Sequence, residues 1–387
     1  MAPIYLDHHA TTPLLPAAFE AMQRVQREAF GNPASAHQLG RAARRCLDDA
    51  RELVAARLNA HPDEVVFTSG ATEANNLAVF GLAKEPPGHL LGAMIEHPCV
   101  VEPLKQLAGR GFAVEWLPVT TRGMVETAAV LERIKPETRL VCLMLANHET
   151  GAIQPVRHVA KRISKTIFLH CDAAQAVGKI PVDFRDLSVS TLSLSAHKFG
   201  GPKGVGCLIA KRGIPLSQRT FGGHQQQGRR PGTEPVALAV GLAAALDHAV
   251  NALEATRTHL DALRSQLLNL LDEKAAPVVV NGPAPGEPDG LPSVLNLSFP
   301  GCRADVLLMR LDLAGVACST GSACSSGSLL PSQVLATMAV PDDVLRSAIR
   351  FTLGAGLSEW EIDDAADRIA GCVAAVRGSP ASAELLR

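Results

Sequence analysis

The sequence has little excess charge of either sign, no long apolar run and no recognisable export signal. Its 37 lysine and arginine residues nearly balance its 38 aspartate and glutamate residues, for a formal net charge of −1. A balanced chain gives no strong field for nucleic acid or an anionic membrane. The apolar run Val236 to Leu246 is too short to cross a bilayer and predicts a buried helix. The N-terminus, MAPIYLDHHATTP, lacks a basic region followed by an apolar stretch, so a cytoplasmic location is expected.

The nine cysteines are odd in number, scattered along the chain and without any CxxC spacing. This distribution argues against a disulfide framework and against a zinc site, so no metal is expected. Most of them are predicted to be small buried hydrophobic residues, as with Cys142 and Cys171 in apolar strand-like runs. Cys324 differs, because it lies in STGSACSSGS among small residues that resist regular structure.

A thiol in such a segment has two interpretations. It is either a cysteine in an ordinary flexible linker or a sulfur carrier that moves between a buried cofactor and a partner at the surface. An exposed free thiol is a chemical liability, which favours a functional reason for Cys324. We therefore expect a mobile loop over about residues 318–331 that carries this cysteine.

Strand-like apolar runs alternate with helical patterns over the first part of the chain. Seven segments predict strands: EVVFTSG, HLLGAMIEH, FAVEWLPV, RLVCLMLANH, IFLHCDAAQ, TLSLSAHK and GVGCLIAK. Segments with helical spacing, such as ATEANNLAVFGLA and QPVRHVAKRIS, lie between them. This alternation predicts an α/β fold in which a mostly parallel sheet is covered on both faces.

The pattern changes after Gly232. Two long helices are predicted between Pro235 and about Lys274, and a shorter mixed region follows. A chain of 387 residues is too long for one small core, so two domains are expected. We predict a large domain over residues 13–255 and a smaller α+β domain formed by residues 1–12 and 256–387.

The segment SAHKFGGPKGVG places Lys198 after a predicted strand and before a glycine run. A lysine that forms a Schiff base must be held on a rigid element with its amine facing a carbonyl. Ser195 and His197 beside it are suited to binding a phosphate. A single lysine near a strand end is more often a solvated charge, so this motif alone decides nothing.

Two further motifs contain groups suited to the same kind of cofactor. In HCDAAQAVGK, Asp172 ends a predicted strand, where a carboxylate is suited to a protonated pyridine nitrogen, and Gln175 is suited to a ring hydroxyl. In EHPCV, His97 ends another strand and is suited to stacking on a ring and moving protons. The ordinary alternatives are a helix cap for Asp172 and a satisfied core or surface histidine for His97.

The segment TSGATEANN joins a predicted strand to a predicted helix. Its turn consists of Gly70, Ala71 and Thr72. Backbone amides at a helix N-terminus, together with the Thr72 hydroxyl, favour a phosphate. Ser-Gly turns before helices are common, so this motif is weak when taken by itself.

Taken in order, these motifs resemble the class V family of enzymes that depend on pyridoxal phosphate (PLP), and within it the group I cysteine desulfurases of the NifS/IscS type. The shared segments run nearly end to end: YLDHHATTP, FGNPASAHQLG, FTSGATEANN, EHPCV, NHETGAIQ, CDAAQAVGK, SAHKFGGPKGVG, GTEPV, GSACSS and IRFTLG. The resemblance implies the PLP-dependent transferase fold type I, with a mostly parallel seven-stranded sheet flanked by helices and a smaller α+β domain. It also implies pyridoxal 5'-phosphate as cofactor, L-cysteine as substrate and a homodimer.

The resemblance further implies a role for each matching residue. Lys198 would hold the cofactor as a Schiff base, His97 would stack on the ring and act in acid–base steps, and Cys324 would be the nucleophile. The other cofactor contacts would be Gly70, Ala71, Thr72, Asn147, Asp172, Gln175, Ser195, His197 and, from the neighbouring subunit, Thr233. The substrate contacts would be Asn32, Asn147 and Arg350, with Arg350 as a bidentate clamp on the carboxylate.

The implied reaction takes sulfur from L-cysteine, releases L-alanine and leaves a persulfide on Cys324 for an acceptor such as an iron–sulfur scaffold protein. Rivals on the same fold are an aminotransferase or a kynureninase-like lyase, which need no mobile thiol, and a selenocysteine-specific lyase, which stays open. A non-catalytic assembly platform would be expected to lose Lys198, Asp172 or Cys324, and all three are present. The sulfur acceptor stays open between iron–sulfur assembly, tRNA thiolation, cofactor synthesis and DNA phosphorothioation.

Overall fold

The structure is a computed structural model that describes residues 2–321 and 331–378. The described strands, in chain order, are β1 (Ile4–Tyr5), β2 (Val65–Thr68), β3 (His89–Ala93), β4 (Ala113–Leu117), β5 (Thr138–Cys142), β6 (Phe168–Asp172), β7 (Thr191–Ser195), β8 (Gly206–Ala210), β9 (Val279–Val280), β10 (Val294–Ser298), β11 (Val316–Ala317) and β12 (Ala348–Thr352). Within these ranges, seven strands form one large sheet in the order β2-β8-β7-β6-β5-β3-β4. Strand β8 is antiparallel to both of its neighbours, and the other neighbours pair in parallel.

Helices cover both faces of this sheet. The described helices are α1 (Pro16–Glu28), α2 (Gln38–Arg57), α3 (Ala71–Leu82), α4 (Pro98–Ala108), α5 (Thr127–Glu132), α6 (Val156–Ala160), α7 (Phe184–Leu187), α8 (Val236–Asn251), α9 (Leu253–Lys274), α10 (Ala304–Leu313), α11 (Gln333–Thr337), α12 (Asp342–Leu345) and α13 (Glu359–Arg377). Neighbouring residues of one strand belong to different cores: Leu90 packs with α3 and α4, whereas Leu91 packs with α1, α2 and α8. Because successive side chains of a strand point to opposite faces, both faces are buried. The predicted α/β fold with its mostly parallel seven-stranded sheet is confirmed.

The two long helices expected after Pro235 are α8 and α9. Leu242 and Leu246 of α8 are buried in the same core as α1 and α2. No single helix in the described residues is long and apolar enough to cross a membrane, although α8 and α9, bent by 69°, would reach that length and composition as a pair.

A second core lies in the C-terminal part of the chain. Leu267 of α9 packs there with Phe299 and Phe351, whose rings meet edge to face at 6.4 Å. Ile4 and Leu6 from the N-terminus join the same core, and β1 pairs in parallel with β11. Because α8 belongs to the first core and α9 to the second, we propose that the domains divide near residue 255, with residues 1–12 and 256–387 in the small domain.

The large sheet gathers the candidate site at one edge. His97, Asn147 and Asp172 lie at or just beyond the carboxyl ends of β3, β5 and β6, and Lys198 follows the carboxyl end of β7. The carboxyl ends of parallel strands meet at one edge of a sheet, which is where open α/β sheets bind ligands. The topology therefore brings together residues that are about 100 positions apart in sequence.

We predict that Phe299→Ala destabilises the small domain selectively. The side chain is fully buried, and such truncations cost about 3–5 kcal/mol because they remove apolar contacts and leave a cavity. Hydrogen exchange should rise in β10, β12 and α13, while β5, β6 and β7 keep wild-type protection. Met309→Ala, at an exposed position of α10, is the matched control. Equal loss of protection in β5–β7 would contradict the proposed division into domains.

Candidate active site

Asp172 is a buried carboxylate at the end of β6, held by several donors. Its Oδ1 accepts hydrogen bonds from the Ala174 amide (2.9 Å) and the Ser193 hydroxyl (3.3 Å). Its Oδ2 accepts one from the Asn75 amide at 2.7 Å, and the Cys99 thiol lies 4.0 Å away. Oδ2 retains lone-pair capacity for a further donor.

The tautomer of His97 follows from its contacts with Cys99. His97 caps the start of α4, and its Nδ1 accepts the Cys99 backbone amide at 3.2 Å and lies 2.9 Å from the Cys99 Sγ. Because a backbone amide only donates, Nδ1 is an acceptor and the neutral ring carries its proton on Nε2. Burial, with the Asp172 charge nearby, raises the pKa of the Cys99 thiol, so the thiol keeps its proton.

Cys99 also connects His97 to the aspartate. Asn75 Nδ2 donates to the Cys99 Sγ at 3.0 Å as well as to Asp172, and the Asn75 carbonyl lies 2.9 Å from His170 Nε2. His97, Cys99, Asn75 and Asp172 therefore form one buried hydrogen-bonded chain. Because hydrogen bonds in such a chain polarise one another, a change at any member alters the strength of the remaining hydrogen bonds.

The ring of His97 is kept neutral. Burial lowers its pKa, with Asp172 acting in the opposite direction and Lys198 in the same direction as burial. The ring of His148 packs edge to face on it with centroids 5.4 Å apart, and burial holds the pKa of His148 well below its usual value. Two neutral imidazoles thus lie next to each other, within the electrostatic reach of Lys198.

A cradle for an anion lies between β2 and α3. Gly70 has a φ of 156°, a conformation that favours glycine, and Ala74 N to Gly70 O is the first helical hydrogen bond of α3. The amides of Ala71 and Thr72 precede that bond and have no partner within the helix. A Cβ on Gly70 would lie 3.6 Å from the Ser195 hydroxyl, so Ser195 faces this turn.

Lys198 lies on a short helical turn that the N-terminal segment holds in place. Its Nζ donates to the carbonyls of His9 (2.5 Å) and Ala10 (3.1 Å). The His197 carbonyl accepts both the amide and the hydroxyl of Thr12 at 2.9 Å. Burial, followed by the charge of Lys198, lowers the pKa of His197 to about 4.

Gln175 is buried beside the same segment. Its Nε2 donates to the His9 carbonyl at 3.0 Å, and its Oε1 accepts from Lys179 Nζ at 3.1 Å. The His9 carbonyl thus receives donors from both Gln175 and Lys198. These contacts place Gln175 and Lys198 on the two sides of one backbone carbonyl.

Arg350 and Asn147 lie where the two cores meet. Arg350 is buried; its Nη1 donates to the His148 carbonyl (3.0 Å) and its Nη2 to Asp7 Oδ1 (2.8 Å), while its Nε has no partner among the described residues. Asn147 is fully buried, with Nδ2 donating to the Ile95 carbonyl and Oδ1 accepting the amides of residues 149 and 150. Asn147 therefore shapes the turn that carries His148.

Two expected site residues, Asn32 and Thr233, are not brought into this cluster, and a third, Cys324, is not described. Asn32 is exposed, and its side chain accepts the Ala34 amide within its own turn at 2.9 Å. Thr233 is exposed on the segment before α8. Cys324 and most of the expected loop 318–331 lie outside the described residues. The roles of all three stay predictions.

Sequence reasoning missed several residues that support the cluster: Asp7, His9, Asn75, Glu96, Cys99 and Lys179. Two of them carried a local signal. Cys99 stands two residues after His97, where an N-cap side chain meets the first helical turn, and Lys179 stands four residues after Gln175. Asp7 and His9 carried none, because their partners are up to 343 residues away.

Comparison with known proteins agrees with this geometry. Residues 4–364 match the aminotransferase class-V family. The chain is 40% identical over 356 residues to the cysteine desulfurase IscS of Dictyoglomus turgidum, covering 91% of this chain and 89% of the relative. The chain belongs to the aminotransferase class-V family. This membership confirms the resemblance to IscS- and NifS-like proteins, and enzymes of this family use PLP.

Two solved structures share the fold. A NifS-like protein superposes with a TM-score of 0.90 at 35% identity, covering 96% of this chain and 99% of its own. A protein described as SspA in complex with cysteine superposes with a TM-score of 0.80 at 33% identity, covering 90% of this chain and 98% of its own.

The residues of this class-V chain fit the cofactor. The amides after Gly70 and the Ser195 hydroxyl suit a phosphate. Asp172 has an oxygen with room for one more donor, which suits a protonated pyridine nitrogen. Gln175 has a second N–H available beyond its bond to the His9 carbonyl, which suits a ring oxygen.

We predict that Glu96→Gln changes the pH dependence of stability. Burial raises the pKa of Glu96 to about 8; one oxygen accepts the Met144 amide at 2.6 Å and the other has no described partner. Because the folded pKa exceeds the unfolded value of 4.5, this carboxyl favours folding at low pH and loses that contribution as pH rises toward about 8.

The cofactor-free Glu96→Gln protein should therefore gain stability over wild type by up to about 1 kcal/mol per pH unit between pH 5 and 8, measured by thermal unfolding. Glu20→Gln, on the exposed side of α1, is the control. A constant difference between variant and wild type over this range would show that Glu96 is not protonated in the folded protein.

Proposed function

We propose that this class-V enzyme is a cysteine desulfurase that converts L-cysteine to L-alanine and leaves the sulfur as a persulfide on Cys324. The observation that carries the proposal is the convergence of Lys198, Asp172, Gln175 and His97 at one sheet edge, in a chain whose curated relatives are named cysteine desulfurases. A relative solved with cysteine supports the substrate.

The chemistry divides between the cofactor and the protein. When bound, PLP supplies an electron sink for charge that develops on the substrate Cα. Asp172 would hold the ring nitrogen, Gln175 the ring oxygen, and His97 would stack on the ring. The phosphate would be bound by residues that share amide or hydroxyl donors or a neutral imidazole: Gly70, Ala71, Thr72, Ser195 and His197, with Thr233 from a second subunit.

Two side chains would move protons. Lys198 would hold the cofactor through Nζ, and the same nitrogen would take the proton from the substrate Cα. His97 is neutral because burial lowers its pKa, and the proton on its Nε2 would serve the reacting atoms.

Cys324 would receive the sulfur. Its thiolate attacks the substrate sulfur, so that an S–S bond forms while the Cβ–S bond breaks. The electron pair of the broken bond, together with a proton, ends on Cβ of the product alanine. The persulfide is then passed to a thiol of an acceptor.

Arg350 is proposed to bind the substrate carboxylate. Its guanidinium is buried and its Nε has no described partner, so a donor is available beside the site. The pairing of Nη2 with Asp7 at 2.8 Å supports the proposal, because it is a contact between this guanidinium and a carboxylate. Asn147 and Asn32 are proposed to complete the substrate contacts.

We further propose a cytoplasmic homodimer that supplies sulfur to a protein acceptor such as an iron–sulfur scaffold. The exposed position of Thr233 supports a role toward a second subunit instead of its own chain. The IscS name of the relatives supports iron–sulfur assembly as the destination. Selenocysteine is proposed as a side substrate at most.

Purified enzyme with PLP, L-cysteine and a thiol reductant should yield alanine and sulfide in equal amounts. Cys324→Ala should lose both products by at least about a hundredfold, because no nucleophile reaches the substrate sulfur. Lys198→Ala should lose both products and the absorbance of the bound cofactor. Cys372→Ala, in the small-domain helix α13, is the control. Alanine formation that persists in Cys324→Ala would rule out the proposed nucleophile.

Arg350→Lys should raise the KM for L-cysteine about ten- to a hundredfold, because a lysine replaces a two-pronged donor by a point charge. Steady-state kinetics on alanine formation measures this. Arg346→Lys, on an exposed arginine paired with Asp342, should leave KM unchanged. An unchanged KM in Arg350→Lys would remove Arg350 from substrate binding.

A further inference from the structure

Lys179 is a buried lysine that the proposed reaction does not use. It lies in the turns that follow β6, and its side chain is buried. Within the described residues its Nζ makes one hydrogen bond, to Gln175 Oε1 at 3.1 Å, and no ion pair. A buried ammonium without a carboxylate is costly, so a site that keeps one calls for a functional reason.

The contacts of Gln175 determine the orientation of its side-chain amide, that is, which partners its oxygen and its nitrogen face. A protonated lysine only donates and a backbone carbonyl only accepts. Lys179 must therefore face Oε1, and the His9 carbonyl must face Nε2, which is the arrangement observed. Since an amide nitrogen carries two hydrogens, the Nε2 end keeps one N–H for a ligand. The reversed amide would present an acceptor instead.

We infer that Lys179 is a positioning residue that fixes the amide of Gln175, so that its Nε2 donates to the ring oxygen of bound PLP. The inference rests on the proposed function, because it needs the ring oxygen beside Gln175. In this role Lys179 acts through Gln175 and needs no contact of its own with substrate or cofactor. It acts by excluding the amide orientation that would repel an anionic oxygen.

The charged groups around Lys179 support this role. The charge of Lys179 helps to lower the pKa of His8, His9 and His197. The charge of Lys198 in turn lowers the pKa of Lys179. All of these neighbours are bases. Burial and the charge of Lys198 lower the pKa of Lys179 to about 7. An anionic ring oxygen beside Gln175 would relieve the repulsion between Lys179 and Lys198.

The test compares two cofactors on cofactor-free protein. Pyridoxal 5'-phosphate has the ring oxygen, and 3-deoxypyridoxal 5'-phosphate lacks it but keeps the aldehyde, the ring nitrogen and the phosphate. Lys179→Met should weaken PLP about tenfold or more, the loss of a hydrogen bond to a charged group, and should leave the Kd of the deoxy analogue unchanged. Lys211→Met, an exposed lysine at the end of β8, should change neither Kd.

Gln175→Leu extends the test independently of how Lys179→Met folds. It should also weaken PLP and spare the analogue. In the Gln175→Leu background, Lys179→Met should add little further loss, because the two residues act through one contact.

Thermal unfolding of the cofactor-free proteins separates positioning from structural support. The folded pKa of Lys179, about 7, lies below its unfolded value of 10.5, so this lysine costs most stability below pH 7 and the cost falls as pH rises from 7 toward 10.5. Lys179→Met should therefore unfold at a higher temperature than wild type at pH 6, with a smaller gain at pH 9.5. A merely structural lysine would give a less stable variant at both pH values.

Three results would overturn the inference. Equal weakening of PLP and of the deoxy analogue would indicate general damage to the site. An unchanged Kd for PLP, in a wild type that binds PLP and forms alanine, would remove Lys179 from cofactor positioning while the proposed function stands. A wild type that binds neither cofactor would remove the proposed function and this inference together.

Discussion

The site depends on the hydrogen-bond donors that reach one carboxyl group inside the protein. Asp172 is buried at the end of a central strand, where a polar group without partners would be expensive. It accepts hydrogen bonds from three elements: the backbone after β6, a hydroxyl on β7 and the Asn75 amide on α3. Because those donors belong to separate elements, the position of the Asp172 side chain depends on the packing of α3 against the sheet.

The same constraint extends to the other functional groups. Asn75 also donates a hydrogen bond to the Cys99 thiol, and the backbone amide of Cys99 sets the tautomer of His97. On the opposite side, one backbone carbonyl, that of His9, receives both Lys198 and Gln175. The acid–base groups are thus oriented by atoms that take no part in the reaction, which is a common way to hold a site within a fraction of an ångström.

The sequence predicts the strands, the two long helices and the functional residues at the strand ends. Buried parallel strands are apolar throughout, so a polar or charged residue that follows one stands out in the sequence. Asp172, His97 and Lys198 are such residues. The antiparallel insertion of β8 between β2 and β7 could not be predicted, because strand order is set by packing between distant segments. The partners of Asp7 and His9 could not be predicted for the same reason. Lys179 lies four residues after Gln175, but its burial could not be predicted from that spacing.

The first dozen residues cross from the second core to Lys198. Ile4 and Tyr5 pair with β11, Asp7 pairs with Arg350, and Thr12 binds the carbonyl of His197. During translation these residues are made long before β11 and Arg350, so their pairings with the second core must wait for those partners. The large domain can therefore fold early, but its Lys198 region acquires the complete support of residues 4–12 only after Arg350 has been synthesised.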